Sequence, residues 1–215
     1  MKKLLVLAAL GLTISACKSE IDNKPAAVVA ETEQAVEKAE EKTEEAAAEA
    51  GETTKLNLGP DSKVEWVGAK VTGDHTGGFE KISGMAELDK DGNLTKVEVS
   101  ADTTSIYSDA DKLTEHLKSD DFFSVEKFPT AKFEATKIEA KPSDNGTHEI
   151  TGNMTIRDQT KTITIPAKVE VSDSGVKAQS EFTLKRFDFG IEYKGKADDL
   201  IKDDVLMKLT LNFPK

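Results

Sequence analysis

From Leu56 onward, apolar and polar residues alternate with a period of two. Val97, Val99 and Ala101 interleave with Lys96, Glu98 and Ser100, and Ile150, Gly152, Met154 and Ile156 interleave with Thr151, Asn153 and Thr155. Three longer runs follow: Ile163-Ile165-Ala167-Val169-Val171, Val176-Ala178-Ser180-Phe182-Leu184 and Val205-Met207-Leu209-Leu211-Phe213. Such alternation puts one face in a core and the other in water, which is the signature of antiparallel strands. Turn formers separate the runs: Asp91-Gly92-Asn93, Ser143-Asp144-Asn145-Gly146, Arg157-Asp158-Gln159 and Ser172-Asp173-Ser174-Gly175. One segment departs from the pattern. Ser108-Asp109-Ala110-Asp111 reads as a helix start, and Leu113, His116 and Leu117 share a face, predicting a helix from about Asp109 to Ser119. About eight strands with one short helix predict a mainly β fold, an antiparallel barrel that hides its strand edges. A barrel of that size is either filled by its own side chains or holds one small ligand.

The first residues follow a different pattern. A cationic Met1-Lys2-Lys3 precedes an apolar run from Leu4 to Leu12, the layout of an export signal. The run is shorter than the ~20 residues a bilayer span needs. It ends in Ile14-Ser15-Ala16-Cys17, which resembles a bacterial lipobox: an aliphatic residue, two small residues, then the cysteine whose thiol accepts diacylglycerol. The expected organisation is a signal peptide over residues 1–16, a lipidated Cys17 opening an acidic tether over 17–55, and a β-barrel over 56–215. The expected location is the bacterial cell envelope, anchored by lipid to the outer membrane in preference to the inner.

Composition sharpens the boundary at residue 55. The chain has 215 residues and a formal net charge of −11. Between Ile21 and Lys55 there is no Leu, Phe, Trp or Tyr, so that stretch has little apolar surface to offset its ordering entropy. Ala and Glu favour helix. Yet Glu33, Glu37, Glu41, Glu45 and Glu49 would form one like-charged stripe on it, each pair costing a few tenths of a kcal/mol. The reading is a disordered or partly helical solvated spacer. No basic stripe is present, so nucleic acid is not an expected partner.

Chemistry-bearing motifs are sparse. Cys17 is the only cysteine, so the barrel has no thiol nucleophile and no disulfide framework. No G-x-S-x-G elbow, H-E-x-x-H helix or phosphate-binding glycine loop occurs. His75, His116 and His148 lie on unrelated segments, against a three-histidine metal site. The chain therefore reads as a binding protein, with no catalytic residue, metal or cofactor expected. Its inward faces supply apolar cavity candidates: Trp66, Val97, Val99, Phe133, Met154, Ile165, Phe182, Met207 and Leu209. Phe122 and Phe123, just after the helix, suit either a plug packing the helix onto the barrel or a contact with ligand.

Several segments are similar to the YceI-like family. They are Val64-Glu65-Trp66-Val67-Gly68-Ala69-Lys70 with His75-Thr76-Gly77, and His116-Leu117-Lys118-Ser119-Asp120-Asp121-Phe122-Phe123 followed by Glu126 to Phe133. Thr151 to Ile156 with Thr160-Lys161, Phe189-Gly190-Ile191 and Asp203-Asp204-Val205 complete the likeness. The resemblance implies a lipocalin-like barrel in the bacterial envelope that binds a long apolar chain such as a polyisoprenoid. His75, His116 and Arg186 are then candidate polar contacts at the barrel mouth. The expected partners are the membrane, through the anchor, and an apolar lipid. The competing reading is a packed barrel without ligand, acting as an envelope interaction or stress protein. A third, a lipid hydrolase or isomerase, would need a polar cluster with a perturbed acid or base at the mouth. A continuous apolar cavity of ~300 Å³ or more separates the first reading from the second.

Overall fold

A computed structural model describes residues 19–30, 53–197 and 199–215. The signal segment, Cys17 and residues 31–52 of the spacer lie outside the described residues.

The alternating runs form an antiparallel sheet. In chain order its strands are β1 (Val28–Ala30), β2 (Thr54–Asn57), β3 (Lys63–Lys70), β4 (Gly73–Phe79), β5 (Ile82–Leu88), β6 (Leu94–Asp102), β7 (Ile106–Ser108), β8 (Thr130–Ser143), β9 (Gly146–Ile156), β10 (Gln159–Ser172), β11 (Gly175–Lys185), β12 (Gly195–Lys196) and β13 (Asp199–Pro214). Helix α1 spans Asp111–Lys118 between β7 and β8. The main path of hydrogen-bonded neighbours runs β2-β5-β6-β8-β9-β10-β11-β13-β3-β4-β7. Every predicted turn joins two of these strands. Arg157, at φ 57°, takes the left-handed conformation that the tight β9–β10 turn requires.

The sheet curls into a barrel, as the alternation predicts, but the ladder does not run the whole way round. Its edges are β2 and β7. Single hydrogen bonds lie beside them: Gly59 N–H, just past β2, donates to Asn212 O of β13, and Glu80 N–H, just past β4, donates to Ser105 O, just before β7. The inward faces meet in one core. Phe182 and Phe213 are fully buried there, with Ile163 and Val176 beside them.

Helix α1 is shorter than predicted, and Asp109 does not cap it. The Asp109 carboxylate instead accepts from Thr76 N–H and pairs with His75 on β4. The helix is held by Ser108, whose N–H donates to Thr114 Oγ1. Leu117 is buried against the core.

The larger difference concerns the segment before the barrel. Residues 19–30, expected in the solvated spacer, cross the outer face of the wall as a strap. Ile21 is 5% exposed and packs with Val67, Ala69 and Leu206, which point outward from β3 and β13. Glu20 pairs with Lys208, Asp22 with Lys202 and Lys24 with Glu181. Further on, the strap enters the wall itself. Pro166 has no N–H to give a ladder, and the pairing of β10 with β11 stops at Lys168 and Gln179. The strap takes the vacated edge. Thr183 N–H donates to Pro25 O, Ala27 N–H donates to Thr183 O, and β1 pairs with Thr162 to Thr164 of β10. The apolar count of the segment is low, but one isoleucine, three ion pairs and a short ladder suffice to dock it.

Candidate functional site

The barrel encloses a cavity of about 430 Å³. It exists because many inward positions carry small residues. Gly68, Ala101, Ala131, Ala167 and Ala178 all line it, and none reaches the barrel axis. Alternation alone marks these positions as inward. Their small size, also written in the sequence, is the signal for a void, and an apolar-versus-polar reading passes over it.

All eleven apolar candidates line this one cavity. Trp66 comes from β3, Val97 and Val99 from β6, and Phe133 from β8. Met154, Ile165, Phe182, Met207 and Leu209 follow from β9, β10, β11 and β13. Phe122 and Phe123 both pack the helix onto the wall and face the cavity. Phe123 meets Phe79 edge-on with centroids 5.9 Å apart, and Phe122 meets His116 edge-on at 4.9 Å. Residues not singled out from sequence as cavity candidates add to the wall: Leu113 and Leu117 of α1, Phe189, Ile191 and Tyr193 of the β11–β13 connection, and Ile201 of β13. The Trp66 Nε1–H is buried without a partner, an unusual cost for an indole.

Polar groups gather at one end, where the β3–β4 turn, the start of β13 and α1 meet. His75 Nδ1 lies 2.8 Å from Asp109 Oδ1. Burial works against ionisation of Asp109, yet the bonds from His75 and Thr76 N–H outweigh it and hold its carboxyl below its ordinary range. Lys70 Nζ donates to Asp199 Oδ2 at 2.7 Å, and Thr72 donates to Asp199 Oδ1 through Oγ1 at 2.9 Å and N–H at 3.1 Å. These bonds, that of Lys70 foremost, likewise hold the Asp199 carboxyl low. The pair ties the β3–β4 turn to the start of β13, and Lys70, His75, Lys196 and Asp199 line the cavity at this rim. His116 is not among the lining residues; it lies 2.9 Å from Asp121 Oδ2, with its ring edge-on to Phe122 and Tyr193, which do line the cavity. His148 is elsewhere, on β9 beside Thr147.

Arg186 also lines the cavity and is 6% exposed, its guanidinium taken up by backbone carbonyls. Nε donates to Lys202 O at 3.0 Å, Nη1 to Ile191 O at 2.7 Å and Nη2 to Ile201 O at 3.2 Å, while the Phe187 ring lies 4.5 Å from the guanidinium. Burial lowers its pKa, and the nearby Asp203 opposes that shift. Charge-assisted bonds to three carbonyls compensate desolvation and leave the group stapling the loop after β11 to the start of β13.

The YceI-like domain model matches residues 55–213. A UPF0312 protein of Shewanella denitrificans is 36% identical over 145 residues, covering 61% of this chain and 72% of that one. A UPF0312 protein of Pseudomonas aeruginosa is 37% identical over 123 residues, covering 54% of this chain and 63% of its own length. Among solved structures, BcnA of Burkholderia cenocepacia superposes with a TM-score of 0.62 at 22% identity, over 70% of this chain and 94% of that one. A polyisoprenoid binding domain from Saccharophagus degradans gives a TM-score of 0.57 at 14% identity, over 74% and 97%. The strap lies ahead of the matched residues, and the barrel coincides with them. The chain belongs to the YceI-like family.

Proposed function

We propose that this protein is a membrane-anchored envelope lipoprotein whose barrel binds or carries a long apolar lipid such as a polyisoprenoid. The observation that carries the reading is the cavity: about 430 Å³, walled mostly by aliphatic and aromatic side chains. Its volume falls within the usual range of ~300–1,000 Å³ for small-molecule sites. Few lining groups can make a directional polar contact, so affinity comes from burial. Covering ~300 Å² of a hydrocarbon chain contributes roughly 7 kcal/mol before ordering costs. Met154 and Met207 suit a ligand of variable shape, because thioether chains repack at low cost. The related fold of a polyisoprenoid-binding domain supports the choice of ligand class. The anchor is supported by the lipobox-like Ile14-Ser15-Ala16-Cys17.

The test is mass spectrometry of solvent extracts from the freshly purified protein, paired with melting curves in long-chain isoprenoid. A co-purifying apolar lipid and a rise in melting temperature are expected. No extracted lipid together with no thermal shift would replace the carrier with a ligand-free interaction barrel. For the anchor, Cys17→Ser should move the protein from the membrane pellet to the soluble envelope fraction, since stable anchoring needs more than one acyl chain.

A further inference from the structure

The strap does more than cover the wall: its first described residue is fixed at the cavity mouth. Ser19 Oγ donates to Asp74 Oδ2 at 2.8 Å, at the start of β4 beside the β3–β4 turn. Asp22 meets Lys202 at 3.1 Å, near the start of β13. These two segments carry Lys70, His75, Asp199 and Ile201 to the cavity rim. The same rim bares apolar side chains. Val71 is 73% exposed and Leu200 50%, and they are joined by a bond from Val71 N–H to Leu200 O. Phe187 adds a third, 39% exposed, with its N–H held by Asp203. Ser19 is two residues from Cys17, and a chain spans at most about 3.6 Å per residue, so the leash from this rim to the thiol is about 7 Å.

We infer that this rim is a membrane-docking face: the docked strap holds the acylated Cys17 beside Val71 and Leu200, so that the cavity mouth lies against the bilayer surface. The inference rests on the lipoprotein reading above. The occupant is the bilayer that receives the anchor, because the chain leading to the acyl chains leaves the barrel at this rim. An acidic spacer between anchor and barrel would leave the barrel free to tumble. The docked strap removes that freedom, since the spacer residues 31–52 follow it and do not separate it from Cys17. An apolar ligand could then pass between bilayer and cavity without crossing water, where its exposure costs ~25 cal/mol per Å².

The experiment uses the full acylated protein, purified from membranes and reconstituted in phosphatidylethanolamine–phosphatidylglycerol vesicles. Val71→Cys, Leu200→Cys and Val171→Cys each carry an environment-sensitive fluorophore, and Val171 marks the opposite end of the barrel beside the β10–β11 turn. Acylation consumes the Cys17 thiol, so labelling is confined to the introduced site. Lipids bearing a shallow spin label should quench the probes at 71 and 200 several-fold more than the probe at 171. Ile21→Asp, which undocks the strap, should bring the three probes to similar quenching. Equal quenching in the unaltered strap, or stronger quenching at 171, overturns the docking face when the N-terminal peptide carries its acyl mass. Persistent contrast in Ile21→Asp overturns the orienting role of the strap. A peptide without acyl mass overturns the lipoprotein reading and the inference with it.

Discussion

Gly77 stands directly across the ladder from Trp66, and a Cβ on Gly77 would lie 2.4 Å from Trp66 Cζ2 and 2.1 Å from the Tyr107 carbonyl oxygen. The wall between β3, β4 and β7 is therefore built around a missing side chain. Gly77→Ala forces the indole and a strand backbone apart together, and overpacking of this kind costs about 1–3 kcal/mol or more. Gly68, two residues along from Trp66 on β3, is the control. Its Cβ would meet only Trp66 ring carbons, at 3.7 and 3.9 Å, which is ordinary contact. Gly68→Ala is expected to be neutral or slightly stabilising, through the lower entropy of its unfolded chain. Urea titrations of the two variants should separate clearly, and equal midpoints would refute the packing account.

Docking of the strap makes Ile21 a stability determinant of a domain it precedes. Its side chain is 5% exposed between Val67, Ala69 and Leu206. Removing a buried isoleucine from such contact costs about 1.5–3 kcal/mol. At about 2–4 °C per kcal/mol for a chain of this size, Ile21→Asp should lower the melting temperature by several degrees. Calorimetry on the soluble form lacking the lipid anchor measures this directly. An unchanged melting temperature would mean that the strap is free in solution.

These two sites also show what sequence could and could not disclose. The strands were legible because period-two alternation is written locally, residue by residue, and the turns because Gly, Asn and Asp mark them. The strap was not. Its sequence offers a lone isoleucine among charges, and the Lys202, Lys208 and Glu181 that pair with those charges lie far along the chain. The bonding of Arg186 is hidden from sequence for a similar reason: it depends on the carbonyls of Ile191, Ile201 and Lys202, which only the fold brings together. The cavity wall was legible as a set of inward positions, while its hollow depends on the run of glycines and alanines among them.

The rim clasp should respond to acid. Lys70 and Thr72 hold the Asp199 carboxyl below its ordinary range. The folded pKa is thus depressed relative to the unfolded one. The stabilisation is fully present above the unfolded value, near 4, and is lost as pH falls through the folded value. Asp199→Asn should melt earlier than wild type at neutral pH. The gap should narrow as the pH is taken from about 7 towards about 2, because the wild-type carboxyl then becomes neutral too. Melting curves across that range test it. A gap of constant size would assign the loss to packing of the amide and not to the charge.

The cavity gives the most direct test of ligand capacity. Gly68 lines it, and a Cβ there would meet only ring carbons of Trp66 at ordinary contact distance. Gly68→Leu therefore adds apolar volume to the void without displacing backbone, and the barrel should remain folded with an unchanged or higher melting temperature. The space for a ligand chain shrinks by the same volume. Extracts of this variant should contain less lipid or shorter chains, and long-chain isoprenoid should no longer raise its melting temperature. Met154→Asp attacks the same site by polarity. It leaves the volume open but places a carboxylate across the ladder from Phe133 on the apolar wall, where desolvation without a partner is costly. Binding and stability should both fall, in contrast to the filled variant, in which only binding falls. If Gly68→Leu keeps the full wild-type complement of lipid, the chain does not occupy the barrel past β3. The cavity would then be packing space, and any bound lipid would have to sit at the rim formed by Lys70, His75 and Asp199.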